Sequence, residues 1–330
     1  MLKRLFSIMF IISFMISCSC AGIESFSTNN CSFRMTDKGA VLDQVYIRHD
    51  NAETQALQII LPDKYEGIPL VGIESNSIPY CCESDVVIPE GVIYLEEYAF
   101  ETCGNPDVVF LPSTLEIIPE GCFRNINSDI VFPNGNPFFE FDNGFLIDNR
   151  TNTLLYSSRS SAGQQLPSVL RIGDWSLYHW LCSKDQSEQN NIILPETLLS
   201  LGSYVFYDLP DLVCLNLPDG IESISSNCFF CTGLEEIEMP SSLTEIPAYC
   251  FTDCSLTSLT IPDGVSYICE YAVYRNWEEL KEVTIPPSVQ FVGYSAFPEE
   301  TKVTALGQAT HFETAEEYQA RIVSNGSPVK

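Results

Sequence analysis

The stretch Leu234-Glu-Glu-Ile-Glu-Met-Pro240-Ser-Ser-Leu-Thr-Glu-Ile-Pro-Ala-Tyr-Cys-Phe251-Thr-Asp-Cys254 decides the fold. Ile237 and Met239 bracket Glu238, the alternation of a short strand with one face turned inward. Pro240 follows, and a proline without an N–H ends a hydrogen-bonded ladder. Leu243, Ile246 and Phe251 then bring apolar side chains back at +3, +6 and +11 from that proline. A segment this short cannot bury such a face alone.

The same frame recurs at Pro89, Pro112, Pro195, Pro218, Pro262 and Pro286, with spacings of 22 to 24 residues inside each run. Across the seven units the positions −3, −1, +3, +6 and +11 are all apolar, although only 45% of the chain is hydrophobic. Chance does not produce that agreement, and a fixed period of this length means a solenoid. Coils stacked about 4.8 Å apart, the usual strand spacing, place like positions over one another and build one continuous core. The +11 column reads Phe100, Phe123, Phe206, Phe229, Phe251, Val273 and Phe297. The +10 column beside it is small or slim: Ala99, Cys122, Val205, Cys228, Cys250, Ala272 and Ala296.

Irregular units fill the gaps. Pro133 follows Ile130 and Phe132, and Pro167 leads Val169, Ile172 and Leu177. Between them, apolar residues alternate around Asn143-Gly144 and Asp148-Asn149-Arg150, which predicts an inserted hairpin or two. Phe33 to Ile47 predicts strand, Lys38-Gly39 turn and strand, covering the open edge of the first coil. Thr314-Ala-Glu-Glu317 is a capping box opening a short helix that closes the other end.

Lys3 and Arg4 precede an apolar run from Leu5 to Ile16, followed by small residues, the pattern of an export signal. Met15-Ile16-Ser17-Cys18 resembles a bacterial lipobox with Met in the usual place of Leu, which makes Cys18 a candidate for acylation. Cleavage near Gly22 would instead release a free chain. The net charge of −28, from 16 Lys+Arg against 44 Asp+Glu, argues against nucleic acid and against anionic membrane surfaces. Membrane attachment is expected only through the lipid.

The Leu234–Cys254 unit resembles the BspA-like, or Treponema-type, leucine-rich repeat. The Leu154-Leu155-Tyr156 end of the insertion and the Glu316-Glu317-Tyr318-Gln319-Ala320 tail are similar to that family's inter-repeat hairpin and terminal cap. The resemblance covers roughly residues 33 to 322. It departs at Glu83, Asn127 and Gln189, where the strand start lacks its apolar residue. It implies a right-handed leucine-rich-repeat coil with a parallel sheet on one face, irregular returns and a short C-terminal capping helix. The segments are then a signal peptide at 1–22, capping strands at 23–60, repeats at 61–133, an inserted hairpin segment at 134–165, repeats at 166–302 and a cap at 303–330. It further implies a secreted or surface protein that binds proteins or glycans of host or neighbouring cells. It supplies no family-wide catalytic residues and no cofactor. A self-assembling envelope component is the alternative, with a thiol or zinc hydrolase behind it.

Cysteine carries the competing chemistry. Cys228-x2-Cys231 and Cys250-x3-Cys254 approach a four-cysteine zinc spacing. Against this, Cys228 and Cys250 belong to the small +10 column, where a buried thiol serves as a small hydrophobe. Export would also permit disulfides within Cys81/Cys103, Cys231/Cys254 or Cys228/Cys250. Histidine chemistry is poorly supplied: His49, His179 and His311 lie far apart, and only His179 has a cysteine, Cys182, nearby. Nucleotide-binding, zinc-protease and serine-hydrolase signatures are absent from the sequence.

The outward strand positions at −2 are the candidate partner-binding face: Val87, Phe110, Val131, Ile193, Asn216, Glu238, Thr260 and Thr284. Apolar residues there mark either a contact surface or a face covered by the insertion or a cap. Glu235, Glu236 and Glu282 accompany the polar half and favour a basic partner. Tyr98, Tyr204, Tyr249 and Tyr271 form a further column at +9, expected to pave the outer turn.

Overall fold

In a computed structural model of the chain, residues 23–25, 31–45, 58–78, 84–184, 186–276, 280–308 and 310–324 are described. The segment expected to be an export signal, with Cys18, and also His49, Cys81 and Glu83, lie outside them. The chain is a β-solenoid of about 10 turns. It divides into two compact units, Met1–Leu146 with Ser158–Ser160, and Ile147–Ser157 with Ser161–Lys330.

The proline opens each return in the same way. In all seven regular coils its carbonyl accepts the N–H of the residue at +3, at 3.0 to 3.4 Å, which closes a β-turn and sends the +3 side chain inward. Val92, Leu115, Leu198, Ile221, Leu243, Val265 and Val289 are accordingly all buried. The Phe100, Phe123, Phe206, Phe229 and Phe251 rings are fully buried as well. Phe206, Phe229 and Phe251 stack with centroids 5.2 Å apart, and Phe100 meets Phe123 at 5.0 Å. Slim residues at +10 let the backbones approach beside these rings. There the +11 N–H donates to the +10 carbonyl of the next coil, as from Phe229 to Cys250 at 3.0 Å and from Phe251 to Ala272 at 2.8 Å.

In the first unit the segments leading into the prolines, from −4 to −2, form a parallel sheet. Its strands are Ile23–Ser25, Gln58–Ile60, Asp85–Val87, Val108–Phe110 and Asp129–Val131. Ile59, Val86, Val109 and Ile130 lie in register and are buried. The repeat therefore begins at Gln58, earlier than the boundary at 61 expected from the regular spacing. Pro62 is its proline, with Ile59 and Leu61 at −3 and −1. A small hairpin, Lys64–Tyr65 against the start of Ile68–Ile73, turns at Glu66-Gly67 and lengthens this coil, hiding it from the period. The predicted N-terminal hairpin is present as Cys31–Met35 antiparallel to Ala40–Val45.

The return path carries a second ladder, at +5 and +6, beside the single sheet expected. Leu42, Ile73 and Leu95 are aligned in the first unit. Two runs are aligned in the second: Leu154, Ile172, Leu201 and Ile224, then Ile246, Ile268, Val292 and Phe312. Here the ladder leading into the prolines contracts, among described residues, to Glu282–Ile285 against Lys302–Ala305 and one bridge between Asn216 and Glu238. Thr153–Ser157, at the end of the insertion, supplies the first rung of the second unit's return ladder through Thr153 and Leu154. Ser158 and Ser160 hydroxyls donate to the Asp129 carboxylate, each at 2.7 Å, and fasten the following residues to the first unit. The Thr314 capping box forms as expected and opens the helix Ala315–Ser324. Two further short helices, Tyr178–Cys182 and Gln186–Gln189, occupy an irregular coil.

Candidate functional site

The −2 column splits between the units. Val87, Phe110 and Val131 are in register on strands of the first sheet. Phe110 is only 6% exposed, and Val87 and Val131 are half-buried, so these rungs do not offer an open apolar face. At the start of the same strands, Arg159 reaches Asp107, donating to its carbonyl at 3.3 Å and pairing with its carboxylate at 3.5 Å. The Asp85 carboxyl is raised to about 6, by burial first and then by the neighbouring Asp107.

In the second unit the column points to solvent throughout. Ile193 is 81% exposed, and Asn216, Glu238, Thr260 and Thr284 are all exposed. Thr284 stands on a strand and Asn216 and Glu238 share a bridge, whereas Ile193 and Thr260 lie outside any strand. The surface is held by what lies beneath it. Ile192, Leu215, Ile237, Leu259 and Val283 at −3 are buried, and that fixes the outward direction of the next side chain. Glu235, Glu236 and Glu282 are exposed on the same coils.

The outer turn has a feature the residue types gave little sign of. All seven +9 residues have positive φ: Tyr98, Gly121, Tyr204, Asn227, Tyr249, Tyr271 and Ser295, between 49° and 72°. This left-handed corner directs +10 and +11 inward while the +9 side chain stays on the turn. The tyrosines do pave it, half-buried and stacked. Tyr204 lies on Trp175 at 4.4 Å, and Tyr249 on Tyr271 at 5.0 Å. A second left-handed column at +13 holds Asp208, Cys231, Asp253 and Arg275. Gly121 and Asn227 were the only hints in the sequence.

That second column separates the two cysteine pairs. Cys231 sits at +13 on the outer turn, whereas Cys254 sits at +14 and is buried, so the two are not equivalent. Cys254 donates to the Phe229 carbonyl at 3.1 Å and contacts the Thr232 hydroxyl at 3.2 Å. Cys228 and Cys250 face the core. Among the described residues no group of three or more His, Cys, Asp or Glu is placed to hold a metal, these four cysteines included. Cys228, Cys231, Cys250 and Cys254 are free thiols. Burial pushes the Cys254 thiol up to about 11 and also raises Cys228 and Cys250 well above the ordinary thiol value, the opposite of what a nucleophile or metal ligand requires. Cys182 is also raised, by burial, and its hydrogen-bond partner is Tyr178. His179 instead meets the Tyr156 and Tyr178 rings edge-on. His311 lies 3.5 Å from Glu317.

The BspA-type leucine-rich-repeat model matches the chain in six copies, over residues 58–142, 182–276 and 244–321. Solved structures similar to it include a leucine-rich repeat protein from Eubacterium ventriosum, at 13% identity over 88% of this chain and 97% of that one, with a TM-score of 0.49. Another, from Bacteroides ovatus, shares 17% identity over 89% of this chain and 80% of that one, with a TM-score of 0.44. The pneumococcal vaccine antigen PcpA shares 14% over 92% and 90%, with a TM-score of 0.41. No curated protein matches the chain. The first matched segment starts at Gln58, where the first paired coil starts, and the remaining matches follow the proline-marked coils to the capping helix; the chain belongs to the BspA-type leucine-rich-repeat family.

Proposed function

We propose that this chain is an exported binding protein, held at a cell surface or secreted, that adheres to proteins or glycans of host or neighbouring cells and performs no chemistry of its own. One observation carries the reading: the −2 side chains Ile193, Asn216, Glu238, Thr260 and Thr284 are exposed on successive coils over a buried −3 column. Side chains repeated on rigid neighbouring coils are pre-organised, so a partner meets several contacts without a cost for ordering them. The accompanying glutamates favour a partner with a basic surface.

Retention of the labelled protein on intact cells tests this. Ile193→Asp combined with Glu238→Lys should weaken retention about tenfold or more while the melting temperature stays unchanged, because both side chains are exposed. Equal retention of the variant and the parent would refute the −2 column as the binding surface. Export is tested separately. Cys18→Ala should move the chain from the membrane fraction to the medium if Cys18 carries the lipid, and an unchanged distribution removes the anchor.

A further inference from the structure

We propose that the outer turn formed by Tyr178, Tyr204, Tyr207 and Asp208 is an arginine-binding site, filled by a guanidinium from a partner protein with a basic segment. The inference rests on the chain being a binding module and names a second, chemically defined contact on it.

The chain's own arginines show what this kind of turn accepts. In the first unit, Arg124 forks onto the Glu101 carboxylate of the preceding coil, at 2.9 and 2.6 Å, with its guanidinium carbon 4.5 Å from the Tyr98 ring centre. In the second unit, Arg321 binds Glu313 and Glu270 and lies 5.2 Å from the Tyr318 ring centre. Arg275 pairs with Asp253 at 3.0 Å, and these two occupy the same left-handed +13 position on consecutive coils.

Asp208 stands at that +13 position two coils before Asp253, with φ of 57° against 56°. The residue one coil later, where Arg275 follows Asp253, is Cys231. Asp208 is exposed and has no ion pair among the described residues. The aromatic half of the arrangement is in place. Tyr204 and Tyr207 meet edge-on at 5.8 Å, Tyr207 stacks on Phe230 at 5.9 Å, and Tyr178 and Tyr204 both contact Trp175. Asp208 lies close enough to raise the Tyr207 hydroxyl, after burial.

A planar guanidinium stacks on an aromatic ring while its N–H groups fork onto a carboxylate, and an ammonium does this less well. A chain with 16 Lys+Arg against 44 Asp+Glu attracts such a group from a basic partner.

The test is calorimetric titration of the intact folded chain with a blocked peptide, Gly-Ser-Arg-Gly-Arg-Ser, and with the same peptide carrying citrulline in place of arginine. The arginine peptide should bind at least about tenfold more tightly than the citrulline peptide, the scale of a desolvated charge-assisted contact. Asp208→Asn should remove that preference, whereas Asp219→Asn, an exposed acid elsewhere in the same unit, should leave it within about twofold. Cys231→Arg should pair with Asp208 as Arg275 pairs with Asp253 and abolish binding, and its melting curve establishes that it is folded. Equal binding of both peptides overturns the site. So does an equal loss in Asp208→Asn and Asp219→Asn, which would mean diffuse attraction, and so does undiminished binding to folded Cys231→Arg. A chain that adheres to cells but ignores the peptide loses this site alone and keeps the adhesive reading; a chain that does neither loses both.

Discussion

Phe229 lies between Phe206 and Phe251, each ring 5.2 Å away, with no exposed surface. Truncation leaves a hole bounded by two rigid rings that cannot collapse into it. Phe229→Ala should therefore cost about 3–5 kcal/mol, read from denaturant melts. A loss below about 1 kcal/mol would show that the rings are not packed as a column. At the start of the middle strand of the first sheet, Asp85 provides a pH signature. Its folded carboxyl is raised to about 6 from an ordinary 3.8, by burial and then Asp107, so the folded state holds its proton more tightly than the unfolded one. The favourable contribution grows as pH falls from 6 toward 4 and is lost above 6. Asp85→Asn should raise the melting temperature at pH 7.5 by a few degrees, and the gain should vanish near pH 4. A gain that persists at pH 4 would contradict the assignment.

At the scale of one coil, the inward positions were legible because burial leaves a repeated mark on composition, and the backbone geometry was not. Tyrosine at +9 has no special reason to adopt positive φ. The left-handed corner emerges from stacking, since the stacked coils hold every +9 residue at the same bend whatever its side chain. Gly121 meets that bend without strain, at φ 72°. Gly121→Val places a β-branched residue there and should cost about 1–2 kcal/mol, whereas a neutral result would mean the corner relaxes freely. The coil of Pro62 escaped the period because the Glu66-Gly67 hairpin lengthens it to 27 residues before Pro89. The cysteine pairs were ambiguous for a related reason. A shift of one position, Cys231 at +13 and Cys254 at +14, separates an outward thiol from an inward one, and spacing along the chain does not reveal which way each turns.

For the molecule as a whole, the seven prolines were enough to establish stacking, and the candidate face was only half legible. A column of exposed apolar residues and a column of covered ones read alike, and Phe110 and Ile193 fall on opposite sides of that ambiguity. Phe110→Asp should destabilise the protein by roughly 3–5 kcal/mol, as a charge buried without a partner does, while Ile193→Asp should leave the melting temperature unchanged. Similar melting of the two variants would place both side chains in the same environment. The stacking itself is tested most directly by removing one turn of it. Deleting residues 219–240 joins Pro218 to Ser241 and restores the proline turn onto Leu243 with every column in phase; deleting only 219–229 puts the columns out of phase. The account predicts that the full-period deletion melts cooperatively with an unchanged circular-dichroism signature, while the half-period deletion does not fold. Unfolding of both, or equal tolerance of both, would contradict a solenoid built from equivalent coils.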